Sequence, residues 1–133
     1  MHFVRRATAL VSAAVAALVL TACGGPNAIT TVDAAAFADQ VATAGVTVLD
    51  VRTPAEFAEG HIAGAINIDV EGGAFDEGIA ELDPAATYAV YCRSGRRSLD
   101  AANLMVDAGF TSIYNLDGGI IEWTAAGGQL VVE

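Results

Sequence analysis

The pattern of apolar and polar residues along the chain alternates between short continuous apolar runs and segments with helical spacing. The continuous runs, rich in β-branched and aromatic residues, predict strands at residues 46–51, 65–68, 87–91 and 112–116. Apolar residues three or four positions apart predict helices at residues 33–41, 54–59, 75–82, 98–108 and 119–126. Because strands and helices alternate, we expect an α/β fold with a mainly parallel central sheet and helices on both faces.

The helix predicted at residues 98–108 is amphipathic and is followed by Gly109, the residue type that most often ends a helix. Its apolar positions fall on one face, which we expect to pack against the sheet. The residues expected on that face are Leu99, Ala102, Met105 and Val106. On the last predicted helix, Trp123 is expected to lie in the core.

The N-terminal residues have the pattern of a secretory signal, because Arg5 and Arg6 precede an uncharged apolar stretch at residues 7–20. At about 1.5 Å per residue, a helix over this stretch would be shorter than the hydrocarbon core of about 30 Å, which disfavours a permanent membrane span. The stretch leads into the sequence LTAC at residues 20–23. This sequence resembles the bacterial lipobox, in which two small residues precede a lipid-modified cysteine.

The lipobox resemblance implies that the signal is cut before Cys23 and that the Cys23 thiol carries a lipid. We therefore expect a cleaved signal at residues 1–22, a lipidated tether at 23–30 and a folded domain at 31–133. The lipid would hold the protein to a membrane at the extracytoplasmic face of the cell envelope. The alternative is an ordinary signal peptide with Cys23 nearby by chance.

The charge balance excludes several classes of function. The chain has 6 basic residues, all arginines, against 16 acidic ones, and its formal net charge is -10. So acidic a chain has no basic face for a phosphate backbone, and we expect no nucleic-acid partner. Its 2 cysteines exclude a disulfide-rich scaffold and cannot by themselves form a four-ligand zinc site. We expect neither a metal nor a cofactor.

The strongest chemical signal is a cysteine in the most basic part of the chain. Cys92 directly follows the predicted strand at residues 87–91, and Arg93, Arg96 and Arg97 lie close behind it. Gly95 allows the loop to curl, so that backbone amides and the following helix N-terminus point at the thiol. Such surroundings lower a thiol pKa and favour a thiolate nucleophile acting on an anion. The alternative is a buried structural cysteine, with arginines that merely offset an acidic surface.

Four segments in order resemble the signatures of the rhodanese family of sulfurtransferases. They are LDVRTPAEF at residues 49–57, GHIAGAINI at 60–68, YCRSGRRS at 91–98, and LDGG at 116–119 followed by Trp123. The resemblance implies a rhodanese-like three-layer sandwich whose central sheet has about five strands. It covers most of the chain after the N-terminal signal.

The resemblance also implies a two-step reaction at Cys92. The thiolate would attack the outer sulfur of thiosulfate or a similar donor, and the resulting persulfide would pass its sulfur to cyanide or a thiol. Arg93, Arg96 and Arg97 are candidates to hold the donor's oxyanion, and Ser94 and Ser98 to donate hydrogen bonds. The loop residues expected to bind substrate are therefore Arg93, Ser94, Gly95, Arg96, Arg97 and Ser98.

Several other polar residues have two possible interpretations. Asp50 lies near the end of the strand predicted at residues 46–51 and Arg52 follows it, and the two either order the loop around Cys92 or form a local ion pair. His61 is expected to fix a turn rather than to shuttle protons. Glu56 and Glu59 are expected on a solvated helix face.

Two other functions remain open from the sequence. The first is a sulfur-carrying or redox-sensing module with little turnover. The second is a phosphatase or arsenate reductase, although such enzymes have a longer loop between Cys and Arg. Here four residues separate Cys92 from Arg97, the sixth position after Cys92 is Ser98, and Tyr91 stands where those phosphatases usually have His. A monomer is the default expectation.

Overall fold

The computed structural model describes residues 27–133. Within this range the strands are β1 (Ile29–Val32), β2 (Val46–Asp50), β3 (Ile66–Asn67), β4 (Thr87–Tyr91) and β5 (Ile113–Leu116). The helices are α1 (Ala34–Val41), α2 (Pro54–Glu59), α3 (Phe75–Ala80), α4 (Arg96–Asp107) and α5 (Gly119–Ala125). The strands form one sheet in the order β1-β5-β4-β2-β3, and every neighbouring pair is parallel. The predicted α/β fold is confirmed.

Two helix starts show how local sequence sets these boundaries. Asp33 is the N-cap of α1, and its carboxylate accepts a hydrogen bond of 2.9 Å from the amide of Ala36. Thr53 is the N-cap of α2 and forms a capping box with Glu56, while Pro54 occupies the first helical turn. Both devices satisfy amides that a helix leaves free at its N-terminus.

Residues of β4 alternate between the two faces of the sheet, and each face has its own core. Tyr88, Val90 and Cys92 point to the face that α3 and α4 cover. The other buried members of that core include Leu49, Val51, Phe75, Ile79, Ala101, Ala102, Met105 and Phe110. This face confirms the predicted burial of Ala102 and Met105 beneath α4.

Helices α1 and α5 cover the opposite face of the sheet, where Ala89 and Tyr91 of β4 are buried. Phe37 of α1 meets the ring of Trp123 edge-on, with ring centroids 6.1 Å apart. Trp123 is 8% exposed, as expected for a core residue. Helices on both faces of the sheet produce the predicted three layers.

The structure differs from the sequence prediction at several places. Strand β1 was not predicted, and it begins at Ile29, before the domain boundary expected at residue 31. Helix α3 ends at Ala80 rather than at residue 82. Helix α4 begins at Arg96 rather than Ser98. Leu99 was expected inward but is 42% exposed, because the buried face of α4 follows Ser98, Ala101 and Met105.

The predicted signal at residues 1–22 lies outside the described residues, as does the predicted lipidation site, Cys23. In the described part of the chain, no helix combines the length and the apolar character needed to cross a membrane.

Candidate active site

The carboxyl ends of the parallel strands bring three segments of the chain together. Cys92 follows β4, Val51 and Arg52 follow β2, and the turn at residues 117–118 follows β5. Because β4 lies between β5 and β2 in the sheet, Cys92 sits at the centre of this edge. Ligands of open parallel sheets bind at such an edge.

The Cys92 loop (residues 92–98) curls back on the thiol. Gly95 has φ +100° and is the N-cap of α4, and its amide donates a hydrogen bond of 3.1 Å to Cys92 Sγ. A Cβ on Gly95 would lie 3.1 Å from the amide nitrogen of Gly118 and 3.3 Å from the carbonyl oxygen of Leu116. Both the positive φ and the lack of space therefore favour glycine.

Ser98 provides a second polar group beside the sulfur. Its Oγ lies 3.4 Å from Cys92 Sγ and donates a hydrogen bond of 3.2 Å to the carbonyl oxygen of Gly95. In the thiol form, Cys92 donates to this oxygen. After ionisation, rotation of the hydroxyl lets Ser98 donate to the sulfur instead. Ser98 is fully buried, so water does not compete for this contact.

The balance of these effects lowers the pKa of Cys92 below its ordinary value. Burial works in the opposite direction, since Cys92 has 0% exposed surface and a buried charge is unfavourable. The hydroxyl of Ser98 and the backbone amides of Ser98, Gly95 and Ser94 outweigh burial. The pKa of the thiol thus falls chiefly through hydrogen bonding to the thiolate.

The N-terminus of α5 donates two backbone hydrogen bonds to the Cys92 loop. The amide of Ile120 donates a hydrogen bond of 2.9 Å to the carbonyl oxygen of Cys92. The amide of Ile121 donates one of 3.3 Å to the carbonyl oxygen of Arg93. Gly119, with φ +60°, permits this approach, because its Cβ would lie 2.4 Å from the carbonyl carbon and oxygen of Arg93. The glycine pair after β5 therefore fixes the backbone that carries the thiol.

The three loop arginines have different surroundings. Arg93 and Arg96 are exposed. Arg97 makes a bidentate pair with Glu56 of α2, at 2.8 Å from Nη1 to Oε2 and 2.9 Å from Nη2 to Oε1. The prediction that Glu56 lies on a solvated face is wrong, because its side chain is 25% exposed and paired. The pair lowers the pKa of Glu56 to about 2, against its ordinary value of 4.5.

A comparison with protein families identifies this arrangement. The family model for the Rhodanese-like domain matches residues 33–126, from the N-cap of α1 to the C-cap of α5. The chain belongs to the rhodanese-like domain family. The Cys92 loop, the Gly118-Gly119 turn and α2 all lie within the matched residues.

Individual relatives of this rhodanese-like domain agree with that assignment. Thiosulfate sulfurtransferase GlpE from Pseudomonas aeruginosa is 40% identical over 86 residues, which are 65% of this chain and 76% of that protein. A sulfurtransferase from Allochromatium vinosum is 35% identical over 89 residues, 67% of this chain and 81% of that protein. The crystal structure of a rhodanese-related protein from Thermoplasma volcanium has a TM-score of 0.68 and 34% identity, and covers 77% of this chain and 98% of that one.

Asp50 and Arg52 form a buried ion pair in the rhodanese-like domain. Arg52 Nη2 lies 2.6 Å from Asp50 Oδ2 and donates a hydrogen bond of 2.7 Å to the carbonyl oxygen of Gly60. The guanidinium carbon of Arg52 also lies 5.7 Å from the ring centre of Tyr91, the residue that precedes Cys92 in the chain. These contacts join the end of β2, the turn after α2 and β4. They are the contacts of a local ion pair, and Arg52 also lines the same pocket as Arg93 of the Cys92 loop. A role of the pair in ordering that loop stays a prediction.

His61 fixes the turn after α2, as predicted. Its ring stacks on Phe57 with centroids 3.6 Å apart, and Nδ1 lies 2.9 Å from the carbonyl oxygen of Phe57. Its backbone pairs in both directions with Val131, through bonds of 3.0 and 2.8 Å. The residue is 2% exposed and binds the C-terminal segment to this turn.

Two features of the site were not predicted from the sequence. The capping-box spacing of Thr53 and Glu56 was visible in the sequence, but the partner of Glu56 lies 41 residues further on. The amides of Ile120 and Ile121 contact the loop through backbone, which leaves no side-chain signal. In residues 27–133, no three His, Cys, Asp or Glu side chains are grouped so that they could hold a metal ion.

Proposed function

We propose that this protein is a rhodanese-type sulfurtransferase that moves a sulfane sulfur from thiosulfate, or a similar donor, to a thiol or cyanide. The observation that carries the proposal is the position of Cys92 Sγ, among the amide of Gly95, the hydroxyl of Ser98 and the N-terminus of α4. The names of the sulfurtransferase relatives support the same reaction class.

In the first step, the Cys92 thiolate attacks the outer sulfur of thiosulfate. A new sulfur–sulfur bond forms on Cys92 as the sulfur–sulfur bond of thiosulfate breaks, and its electron pair leaves with sulfite. The surroundings that lower the pKa of Cys92 increase the fraction of the nucleophile that is ionised. The same donors suit the negative charge on the terminal sulfur of the persulfide.

In the second step, cyanide or a thiolate attacks the terminal sulfur of the persulfide. The bond to Cys92 breaks, and its electron pair returns to Sγ as a thiolate. A stabilised thiolate is a good leaving group, so the hydrogen bonds from Ser98 and Gly95 assist this step as well. Both steps therefore rely on the same low pKa.

Two exposed cations, Arg93 and Arg96, and the N-terminus of α4 are available to bind the donor's oxyanion. Arg97 was an equal candidate, but its donors are engaged by Glu56. Because Cys92 itself has 0% exposed surface, the groups that cover the sulfur must shift to admit a donor.

Two features disfavour the phosphatase alternative. Four residues separate Cys92 from Arg97, so the loop is shorter than a phosphate cradle requires. The guanidinium that would clamp a phosphate is paired with a carboxylate. A phosphatase needs this group free to bind a tetrahedral dianion.

A thiosulfate:cyanide assay tests the proposed function. We expect thiocyanate formation by the protein and a loss of at least about a thousandfold in the Cys92→Ser variant, since the nucleophile is removed. Equal, negligible turnover by both proteins would contradict the enzyme. Hydrolysis of a phosphate ester or reduction of arsenate that depends on Cys92 would support the phosphatase alternative instead.

We also propose that Cys23 carries the lipid that anchors the domain at the extracytoplasmic face of the cell envelope. The support is the order of the basic residues, the apolar stretch and the sequence LTAC at residues 20–23. With its first strand at Ile29, the folded domain would lie a few residues from the lipid.

A further inference from the structure

The pair between Arg97 and Glu56 joins the active-site helix to α2. Both terminal nitrogens of Arg97 are used, one on each oxygen of Glu56, at 2.8 and 2.9 Å. The side chains are 19% and 25% exposed, so the pair is only partly open to water. Glu56 Oε2 also accepts hydrogen bonds of 3.0 Å from the amide and the hydroxyl of Thr53. Thr53 therefore holds the Glu56 carboxylate in position independently of Arg97.

Arg97 is close to the reacting sulfur. It precedes Ser98, whose hydroxyl lies 3.4 Å from Cys92 Sγ, in the first turn of α4. Its pKa is raised chiefly by the hydrogen bonds to Glu56, against the effect of burial. The charges of Cys92 and Glu71 raise it further, which marks both groups as neighbours of the guanidinium.

We propose that Glu56 is a specificity-determining residue, which withholds Arg97 from anions at the Cys92 loop. A free guanidinium binds a tetrahedral oxyanion through two parallel hydrogen bonds, more firmly than loop amides or an exposed point charge do. With Arg97 held by Glu56, sulfate, phosphate and the oxyanion end of thiosulfate all bind the loop weakly, so that resident oxyanions do not block the thiol.

The same arrangement favours release of sulfite. If Arg97 were free, it would hold this product in the two-bond geometry that it now offers to Glu56. This part of the inference rests on the proposed sulfurtransferase function. The effect of Glu56 on anion binding does not, because it follows from the competition of two anions for one cation.

Sulfate binding to the full-length chain tests the inference. The titration follows the Gly95 and Ser98 amide resonances in a Cys92→Ser background, so that no variant carries a thiolate charge. The Glu56→Gln variant retains the size of the side chain and an oxygen for the Thr53 cap, but it releases Arg97. We expect it to bind sulfate about fivefold more tightly, the effect of gaining one partly screened cation.

Two further variants separate charge from fold. Thr53→Ala removes the hydroxyl of the capping box and leaves the pair with Arg97, so its sulfate affinity should equal that of the background. Adding Arg97→Gln to Glu56→Gln should abolish the gain in affinity. With Cys92 restored, Glu56→Gln should also shift the pH midpoint of Cys92 alkylation downward, measured by mass spectrometry on the peptide that contains it.

Unchanged sulfate affinity in a folded Glu56→Gln protein would overturn the inference, as would an equal gain in Thr53→Ala. If the protein fails to turn over thiosulfate but the titration shows the gain, the proposed function fails and the role of Glu56 stands. If turnover depends on Cys92 but the gain in sulfate affinity is absent, the proposed function stands and the role of Glu56 fails.

Discussion

At the scale of single residues, Cys92 combines complete burial with a pKa below that of an ordinary cysteine. Three backbone amides and one hydroxyl face the sulfur. Holding these groups in place costs less side-chain entropy than holding a long cationic side chain would. Backbone amides of a curled loop were predicted to lower the pKa of this thiol, and the structure shows such amides beside the sulfur. Of the arginines expected to bind the donor's oxyanion, Arg93 and Arg96 are exposed and Arg97 is paired with Glu56.

Ser98→Ala should raise the pKa of Cys92, because it removes the hydroxyl that lies 3.4 Å from Sγ. At pH below the pKa, alkylation of Cys92 should slow by several-fold, in proportion to the lost thiolate fraction. Ser94→Ala is the matched control, since Ser94 contributes through its backbone amide. The pH profile of iodoacetamide modification measures both. A midpoint that is identical in the two variants would contradict the assigned role of the hydroxyl.

Gly119→Ala should destabilise the fold by about 2–4 kcal/mol, because the new Cβ would overlap the backbone of Arg93. Gly127→Ala is the matched control. Gly127 also has a positive φ, +91°, but nothing lies within 4 Å of its Cβ position. We expect it to cost only about 1 kcal/mol of backbone strain. Urea unfolding compares the two, and equal losses would show that the approach of α5 to the Cys92 loop is unimportant.

At the scale of secondary-structure elements, the pair of Glu56 and Arg97 connects α2 with α4 beside the Cys92 loop. The capping box that starts α2 could be predicted, because its residues are three positions apart. The ion pair could not, because nothing local indicates which of three arginines a carboxylate 41 residues away will meet. The start of α4 was also misplaced, and with it the orientation of Leu99.

The pH dependence of stability should report this connection. The pKa of Glu56 in the folded state is about 2, below its ordinary value of 4.5, so the unfolded chain binds more protons between these values. The stabilisation is therefore complete above about pH 5 and is lost as the pH falls toward 2. In wild type this loss should exceed that in Glu56→Gln by about 1 kcal/mol, allowing for partial exposure. Urea midpoints at pH 7 and pH 3 measure it, and parallel losses would contradict the pair.

At the scale of the whole molecule, the order of elements from α1 to α5 and the two-faced core were largely predictable. Continuous apolar strands such as β4 and amphipathic helices such as α4 carry this information locally. Strand β1 was missed because its four residues, ITTV, lack a continuous apolar run. Its place in the sheet depends on pairing with β5, more than 80 residues along the chain.

Envelope anchoring is a prediction about the whole chain. Cys23→Ser should move the protein from the membrane fraction to the soluble fraction, because it removes the residue that would carry the lipid. Thiosulfate turnover per molecule should be unaffected, since Cys92 and its surroundings lie in residues 27–133. Cys92→Ser should show the opposite result, with membrane attachment retained and turnover lost. An unchanged membrane fraction after Cys23→Ser would contradict the anchor.

Intact-mass spectrometry tests most directly whether Cys92 accepts a sulfur atom. After incubation with thiosulfate, the protein should gain the mass of one sulfur atom, and cyanide should remove it. Peptide mapping should place the added sulfur on Cys92, and Cys92→Ser should show no gain. An unchanged mass in the wild-type protein, or an equal gain in Cys92→Ser, would contradict the account.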